Sequence, residues 1–455
     1  MPRVCTEKMN REDEPSHENT VIRNHLNRNY IVMLRAVTLK SIVAFLLLAL
    51  TFLAMVSRYW ALTIDDAYIS ARYAWNAAHG AGLVFNPTDH VMGYTNLLLV
   101  LIETAVYSWG GDGIVAAKSV GVVAALTLLG LTYALAYQLD AKRWRSVGTI
   151  AVVSLILFPE LALGAVIGLE SALFAAFFTA SIWIFVRWIW HGDGGYLAQG
   201  ILAVTLLCTT LTRPEGLGLA FFLFGAHLAI TWHSQRHAPP PLGKVARSLL
   251  WLPCYLLLLL PVLLWLNSYY GSPIPNTFFA KTSAGVAWEK YRVGIGYIAR
   301  WISATGVFWI LPASLLPFFL RQVSTTMRLF GLLVLWWLAY VTYTGGDWIQ
   351  GFRFMLPILP LLYLLGASGI VQIWEAFKSS LNHLTLTSQK LLAILLLSAI
   401  WLPAGTALRD NQEEAMAWAN GYSAAHHMIG SWLAAETPLT TTVALMDVGI
   451  IGFVS

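Results

Sequence analysis

The chain has 455 residues, 58% of them hydrophobic and 11% charged, with a mean hydropathy of +0.65. A soluble globular domain carries roughly 25% charged residues, so this composition excludes an ordinary soluble fold and indicates a polytopic membrane protein. The net charge of +5 forms no basic stripe along any polar segment, which argues against a nucleic-acid partner.

In chain order, residues 1–40 read as a polar cytoplasmic tail. A cleaved leader would begin nearer the N-terminus and carry a shorter apolar region, so the apolar stretch from Ser41 reads as an uncleaved first span. A span needs about 20 apolar residues. The segments 41–58, 114–139, 146–163, 170–190, 197–212, 216–232, 249–268, 301–320, 329–344, 354–374 and 391–407 meet that need and predict an all-α bundle of about eleven spans over 41–407. The run 97–109 is shorter, bounded by Asn96 and by Gly110-Gly111-Asp112, and fits an interfacial or re-entrant helix. With the N-terminus inside, eleven spans put 18 of the 28 Lys and Arg on the cytoplasmic side, as the positive-inside rule requires. A crossing by 97–109 would carry "DAKRWR" (140–145) and "RQVSTTMR" (321–328) outside. Residues 408–455 are expected to open an outer C-terminal domain that breaks off early. The cysteines Cys5, Cys208 and Cys254 show no CxxC or metal-ligand spacing.

The same topology sends 15 of the 23 acids outward. Four outer segments hold Gly, Pro, Asn, Tyr and ionisable residues near membrane depth. They are the first outer loop 59–113, the turns around Gly168-Leu169-Glu170 and Arg213-Pro214-Glu215, the loop 269–300, and 345–353. Ionisable groups at that depth are costly and functional by default. No internal repeat is visible, which counts against an inverted-repeat transporter.

Thr63-Ile64-Asp65-Asp66 fits a helix start, with Thr63 as the cap and Asp66 at the third position of a capping box. The helix dipole favours acids there. Asp65, Ile69, Arg72 and Asn76 follow on one face, and Gly80 and Gly82 end the helix. Besides that structural role, two adjacent carboxylates suit catalysis. One takes the proton of an acceptor hydroxyl; its neighbour and Arg72 orient it or tune its proton affinity. The pair could equally hold a divalent cation with phosphate oxygens, since hard cations take oxygen ligands. No other cofactor is expected.

Further candidates each carry two readings. Arg213 is either an interfacial arginine paired with Glu215 or a clamp on a phosphate, which arginine binds bidentately. Glu170 is a helix-start acid, or a contact to sugar hydroxyls or a metal. Asn276 and Lys281 lie in a loop stiffened by Pro273 and Pro275, where the lysine is solvated or meets a phosphate. Asp347 and Arg353 form an ion pair across a turn or bind a donor, with Trp348 stacking on its sugar. His79 and His90 read as loop residues, and most of the tryptophans as interfacial belts.

Six segments together carry a resemblance: "DDAYISARYAWNAAHGAGLVFNPTDHVMGYTN" (65–96), "GLESALFAA" (168–176), "LTRPEG" (211–216), "YYGSPIPNTFFAK" (269–281), "GGDWIQGFRFMLPILPL" (345–361) and "MDVGIIG" (446–452). In this order they resemble segments of membrane glycosyltransferases of the GT-C class. The pattern is closest to the family of the terminal arabinofuranosyltransferase of mycobacterial cell walls. The resemblance implies a GT-C-like bundle at the plasma membrane that takes a sugar from a polyprenyl-phosphate carrier. The sugar, arabinofuranose in the nearest named relatives, would pass with inversion to a glycan, lipid or protein acceptor of the cell envelope, on the outer side. It also implies that an aspartate of the first outer loop is the base, a role that falls on Asp65 or Asp66. Arg72, Arg213, Lys281, Asp347 and Arg353 would then meet the donor phosphate and sugar. Asn76, Asn86, Tyr94, Asn96, Glu170, Glu215 and Asn276 would contact the acceptor or support the site. Where the family usually has an acidic residue this chain has Met92, and Thr88-Asp89-His90 replaces a Gly-Glu-Arg run, so acceptor contacts differ. The rival readings are a transporter or flippase of lipid-linked saccharides and an inactive scaffold. A transporter would carry charged groups at mid-span, whereas here they gather on one side.

Overall fold

The computed structural model describes residues 39–378 apart from 88, 191–193, 235–241, 278–286, 306–309, 321–322, 348 and 350. Beyond these it describes 385, 387–389, 391–392, 395, 398, 413–414, 416–438 and 441–455. Lys281, Trp348 and nearly all of the expected span 391–407 lie outside the described residues. Among the described residues there is no strand.

Hydrophobic runs and their caps set the helices. The chain begins with α1 (Leu39–Tyr59), α2 (Asp65–Ala78), α3 (Leu97–Ser108) and α4 (Gly113–Leu139). Asp112 starts α4 by accepting the N–H groups of Ile114 at 2.8 Å and Val115 at 3.1 Å, donors the first helical turn leaves unpaired. At 1.5 Å per residue, α4 is roughly 40 Å long, enough to cross a membrane. There follow α5 (Trp144–Leu157), α6 (Pro159–Val166), α7 (Ser171–Ile184, extended by a π turn to Ile189), α8 (Gly195–Thr212), α9 (Glu215–Ser234), α10 (Leu242–Ser248) and α11 (Trp251–Tyr270). Next come α12 (Ala287–Thr305), α13 (Ile310–Leu320), α14 (Thr325–Thr344) and α15 (Leu359–Lys378), the last preceded by a 3₁₀ turn, Arg353–Ile358. The described chain closes with α16 (Ala424–Glu436) and α17 (Gly449–Val454). Two compact units divide it, residues 1–50 and 51–455.

Among the described residues, eight helices are long and apolar enough to cross a membrane, and two bent pairs bring the number to ten. The expected straight spans 146–163 and 301–320 are those pairs. Helices α5 and α6 meet at 60°. Phe158 is extended there, with φ −90° and ψ 132°, and Pro159 opens α6. Proline pushes its predecessor out of the helical region and supplies no N–H. The second pair, α12 and α13, meets at 104°. Helix α3 has 12 residues and is too short to cross, as the sequence predicts.

Helix α4 is the central post, packed against α5, α6 and α7. At Gly121 its backbone lies so close to the Ala165 carbonyl that no Cβ fits. Helices α2 and α3 pack together and against the start of α4, α17 rests on α2, and α16 rests on α17.

Candidate active site

Asp65 and Asp66 are the first two residues of α2, where the helix dipole favours negative charge. Thr63 does not cap the helix, contrary to the sequence expectation. The cap position is Ile64, without a side-chain hydrogen bond, because the N–H of Ile64 is drawn to the Ile167 carbonyl at 3.1 Å. The two aspartates differ sharply in surroundings. Asp65 is buried, and its two carboxylate oxygens accept the N–H groups of Gly449 at 2.8 Å and Ile450 at 2.7 Å. It thus caps a helix 384 residues away instead of its own. A Cβ at position 449 would fall onto the backbone and carboxylate of Asp65, so glycine is required there. The Asp66 side chain is 34% exposed and lies 4.0 Å from Nη2 of Arg353.

The turn that delivers Arg353 is unusual. Gly345, Gly346 and Gly351 have φ of +84°, +77° and +81°, and Phe352 has φ +45°. A left-handed conformation in a non-glycine residue costs of order 1–3 kcal/mol and persists where surrounding packing enforces it. Tyr297 meets the Phe352 ring edge-on at 5.5 Å. The result is a buried Arg353 whose Nε donates to Asp347.

Arg213 lies on extended backbone, φ −153° and ψ 139°, as the residue before Pro214 must. That conformation sets its guanidinium between two acids. Nη1 donates to Glu170 at 2.6 Å, Nη2 to Glu215 at 2.8 Å, and Nε to both Glu215 oxygens at 3.3 Å. The Tyr340 hydroxyl donates to Glu215 at 2.7 Å. Asn96 donates to Glu170 at 3.1 Å and to Ser70 at 3.0 Å. A continuous chain Ser70–Asn96–Glu170–Arg213–Glu215–Tyr340 therefore runs beneath α2. Burial pulls the proton affinity of Arg213 down, but Glu215 and Glu170 more than offset it and hold the guanidinium above its ordinary value. The Phe354 ring lies 4.8 Å from the Arg213 guanidinium and 5.7 Å from that of Arg353, a cation–π arrangement that spaces the two cations.

Below this chain Glu103 is fully buried, and neither of its oxygens has a hydrogen-bond partner among the described residues. Burial first, and then Glu170 and Asp112, push its carboxyl well above the usual range. Burial thus favours the neutral form of Glu103.

Other sequence candidates have structural duties. Arg72 does not reach the aspartates: its Nε donates to the Phe85 carbonyl at 3.5 Å. Asn76 donates to the Val84 and Phe85 carbonyls, each at 2.9 Å. Both brace the loop after α2. The Tyr94 hydroxyl meets that of Tyr270 at 3.1 Å, and Tyr270 donates to the Leu83 carbonyl at 2.6 Å. Asn276 is exposed, and its N–H donates to the Met92 carbonyl at 3.1 Å. Asn86 is an exposed turn residue whose carbonyl accepts the N–H of Asp89 at 3.0 Å. His79 donates through Nδ1 to the Trp75 carbonyl at 2.8 Å, and His90 lies edge-on to Tyr269.

The C-terminal segment adds residues the sequence reading did not single out. Tyr422, His426 and Asp447 gather over the start of α2. Burial, then Asp447, Asp65 and Asp66, push the Tyr422 phenol up. The available signal was "MDVGIIG", whose resemblance marked 446–452 as a segment but gave no role to its neighbours.

No family model matches the sequence, and no curated protein matches it. Solved structures do. ArnT from Cupriavidus metallidurans bound to undecaprenyl phosphate matches with a TM-score of 0.60 and 13% identity, over 91% of this chain and 84% of that one. The Archaeoglobus fulgidus oligosaccharyltransferase in its apo form gives 0.63 and 12%, over 91% of this chain and 63% of that one. AglB from Archaeoglobus fulgidus, in complex with an inhibitory peptide and a dolichol-phosphate, gives 0.50 and 11%, over 86% of this chain and 58% of that one. At such identities the likeness establishes the fold: an all-helical, GT-C-like, multi-pass membrane protein.

Proposed function

We propose that the chain is a glycosyltransferase that moves a sugar from a polyprenyl-phosphate carrier to a cell-envelope acceptor, at an active site facing outward from the plasma membrane. The observation that carries this reading is the gathering of Asp65, Asp66, Arg353 and the buried Glu170–Arg213–Glu215 chain at one end of the bundle. The polyprenyl phosphates bound by ArnT and AglB support the donor class. Arabinofuranose is the sugar to test first.

In this mechanism the acceptor hydroxyl attacks the anomeric carbon while the bond to the carrier phosphate breaks. The electron pair leaves with the phosphate, and the configuration inverts. A carboxylate of the Asp65–Asp66 pair takes the hydroxyl proton. Arg353 faces the charge growing on the phosphate, and such preorganised charge stabilises a transition state without reorganisation. Lys281 is proposed as a second phosphate contact. Arg213, with three nitrogens committed to Glu170 and Glu215, positions those acids. Glu170 and Asn96, buried and bonded to Arg213 and Ser70, support the site.

The site groups Asp65, Asp66, Glu170, Glu215 and Asp347 with Arg213 and Arg353. When all are ionised the balance is negative, which disfavours a lone phosphate. A divalent cation at Asp65 and Asp66 would correct this. The residues do not form its ligand set: no three His, Cys, Asp or Glu side chains converge among the described residues, and amides engage both oxygens of Asp65. No step above therefore runs through a metal.

The rival, transport or flipping of a lipid-linked saccharide, draws on Glu103 and Glu160, two carboxyls buried inside the bundle. One experiment separates the readings. Purified protein is given labelled polyprenyl-phosphate sugars and envelope extract, beside Asp65→Asn and Asp66→Asn and with chelator. Transfer abolished by a substitution in a folded protein supports the enzyme. Scrambling of the labelled lipid without transfer, unchanged by either substitution, refutes it.

A further inference from the structure

We propose that the two aspartates divide the work: Asp66 is the catalytic base, and Asp65 is a positioning residue that builds α16 and α17 into the wall of the active site. This rests on the transferase reading and deepens it.

Successive residues of a helix point about 100° apart, so the first two side chains of α2 face different neighbours. Asp65 turns inward. It is 3% exposed, and its oxygens accept the N–H groups of Gly449 and Ile450, the first two residues of α17. With α17 seated there, that carboxylate is closed to an acceptor hydroxyl. Asp66 turns outward. Its side chain is 34% exposed, and its Oδ2 lies 4.0 Å from Nη2 of Arg353, the cation assigned to the carrier phosphate. A base must come within about 2.6–3.2 Å of the oxygen that gives up the proton. Of the two carboxylates, Asp66 offers a surface for that approach.

The bonds to Asp65 hold more than two amides. The Phe453 ring of α17 lies 5.5 Å from that of Tyr68 and 6.5 Å from that of Trp75, both on α2. A Cβ at position 452 would meet the Phe85 ring, and one at position 430 would meet Val454, so α17 sits tight against the loop after α2 on one side and against α16 on the other. Helix α16 comes back to α2 through His427, whose Nε2 is 3.3 Å from the Tyr68 hydroxyl. Just before it, Ser423 Oγ donates to the Thr63 carbonyl at 3.3 Å. Tyr68 is two residues after Asp66, so this wall borders the base. Asparagine at position 65 would keep one acceptor oxygen and turn an NH₂ group toward the other amide, donor against donor. A buried donor without an acceptor is costly, and α17 would lose its seat.

The chemistry then needs one carboxylate. The acceptor O–H bond breaks and its proton goes to Asp66. The acceptor oxygen bonds to the anomeric carbon, the bond to the carrier phosphate breaks, and its electron pair stays on the phosphate. Asp66, exposed to water, returns the proton to solvent directly. Asp65 acts through α17 and does not touch the substrate.

The test pairs two readouts in the full chain: sugar transfer, and deuterium exchange at the amides of Gly449 and Ile450. Asp66→Asn is expected to lower kcat by about 10²–10⁴-fold with the donor KM kept, the signature of a lost proton acceptor, and to leave exchange at its wild-type rate. Asp65→Asn is expected to speed exchange about ten- to a hundredfold as charge-assisted bonds are lost, and to lower transfer with it. Gly449→Ala breaks the same contact from the other side. Asp65→Asn combined with Gly449→Ala should therefore lose no more transfer than the worse single variant, because the two changes act on one interaction. Transfer retained by Asp66→Asn would overturn the proposal. So would wild-type exchange in Asp65→Asn, or losses that simply add in the combined variant. A wild-type protein without transfer activity would refute the transferase reading and the role of Asp66, while exchange still decides whether Asp65 holds α17.

Discussion

Arg213→Met isolates the role of the buried ionic chain. Arg213 is 11% exposed and balances Glu170 and Glu215, themselves 4% and 10% exposed. Removing one partner of a buried ion pair costs about 3–5 kcal/mol, because the remaining charge stays out of water uncompensated. Here one cation serves two acids and three of its nitrogens donate to them, so the loss belongs at the upper end, about 5 kcal/mol. Methionine keeps an unbranched apolar stem against Phe354, which limits the contribution of lost packing. The companion variant carries Arg213→Met, Glu170→Gln and Glu215→Gln together. It removes all three charges and is expected to recover most of the loss, since replacing a whole buried ionic group is often close to neutral. The assay is reversible unfolding in mixed detergent micelles, followed by the fluorescence of the chain's 20 tryptophans. A loss below about 1 kcal/mol for Arg213→Met, the range of an exposed pair, would refute the reasoning. A triple variant no more stable than the single one would refute it equally.

Two further outcomes are expected. Gly449→Ala places a methyl group on Asp65 and breaks charge-assisted hydrogen bonds worth about 1.5–3 kcal/mol each; transfer should fall at least tenfold and proteolysis within 422–455 should speed up, and wild-type values for both would contradict the docking described. Glu103→Gln tests the buried carboxyl. Its folded proton affinity lies above the ordinary value near 4.5, so between that pH and its raised folded value the unfolded chain has lost a proton that the folded chain keeps. Stability must therefore fall as pH rises through this window, by up to about 1.4 kcal/mol per unit. The glutamine variant should lack this slope, and parallel wild-type and variant curves from pH 5 to 8 would show that Glu103 is charged.

Much of the architecture was legible because hydropathy is a local property. A run such as Gly113–Leu139 announces a crossing helix by itself, and twelve residues in α3 cannot reach across whatever packs beside them. Gly80 and Gly82, both with φ +86°, ended α2 where the sequence placed its end. Asp347 and Arg353, six residues apart, could be paired on paper because a tight turn brings neighbours together. The bends were harder to see. Pro159 gave a signal for one of them, but hydropathy averages straight through a break.

The partnerships of the site needed the fold. Glu170 and Arg213 are 43 residues apart, and nothing in either segment says that one guanidinium will lie between two acids. The pattern of "LTIDD" predicted a self-contained capped helix. In the structure Thr63 yields that role, and Asp65 turns to amides 384 and 385 residues downstream. Sequence alone determined a membrane-spanning helical bundle with its ionisable residues gathered in a few segments, since apolar length and side-chain charge act over a single turn or span. Only tertiary structure decided which charges meet, which of two adjacent aspartates is buried, and that Gly449 and Ile450 belong beside it. Those outcomes depend on packing between segments whose separation along the chain carries no information about their distance in space.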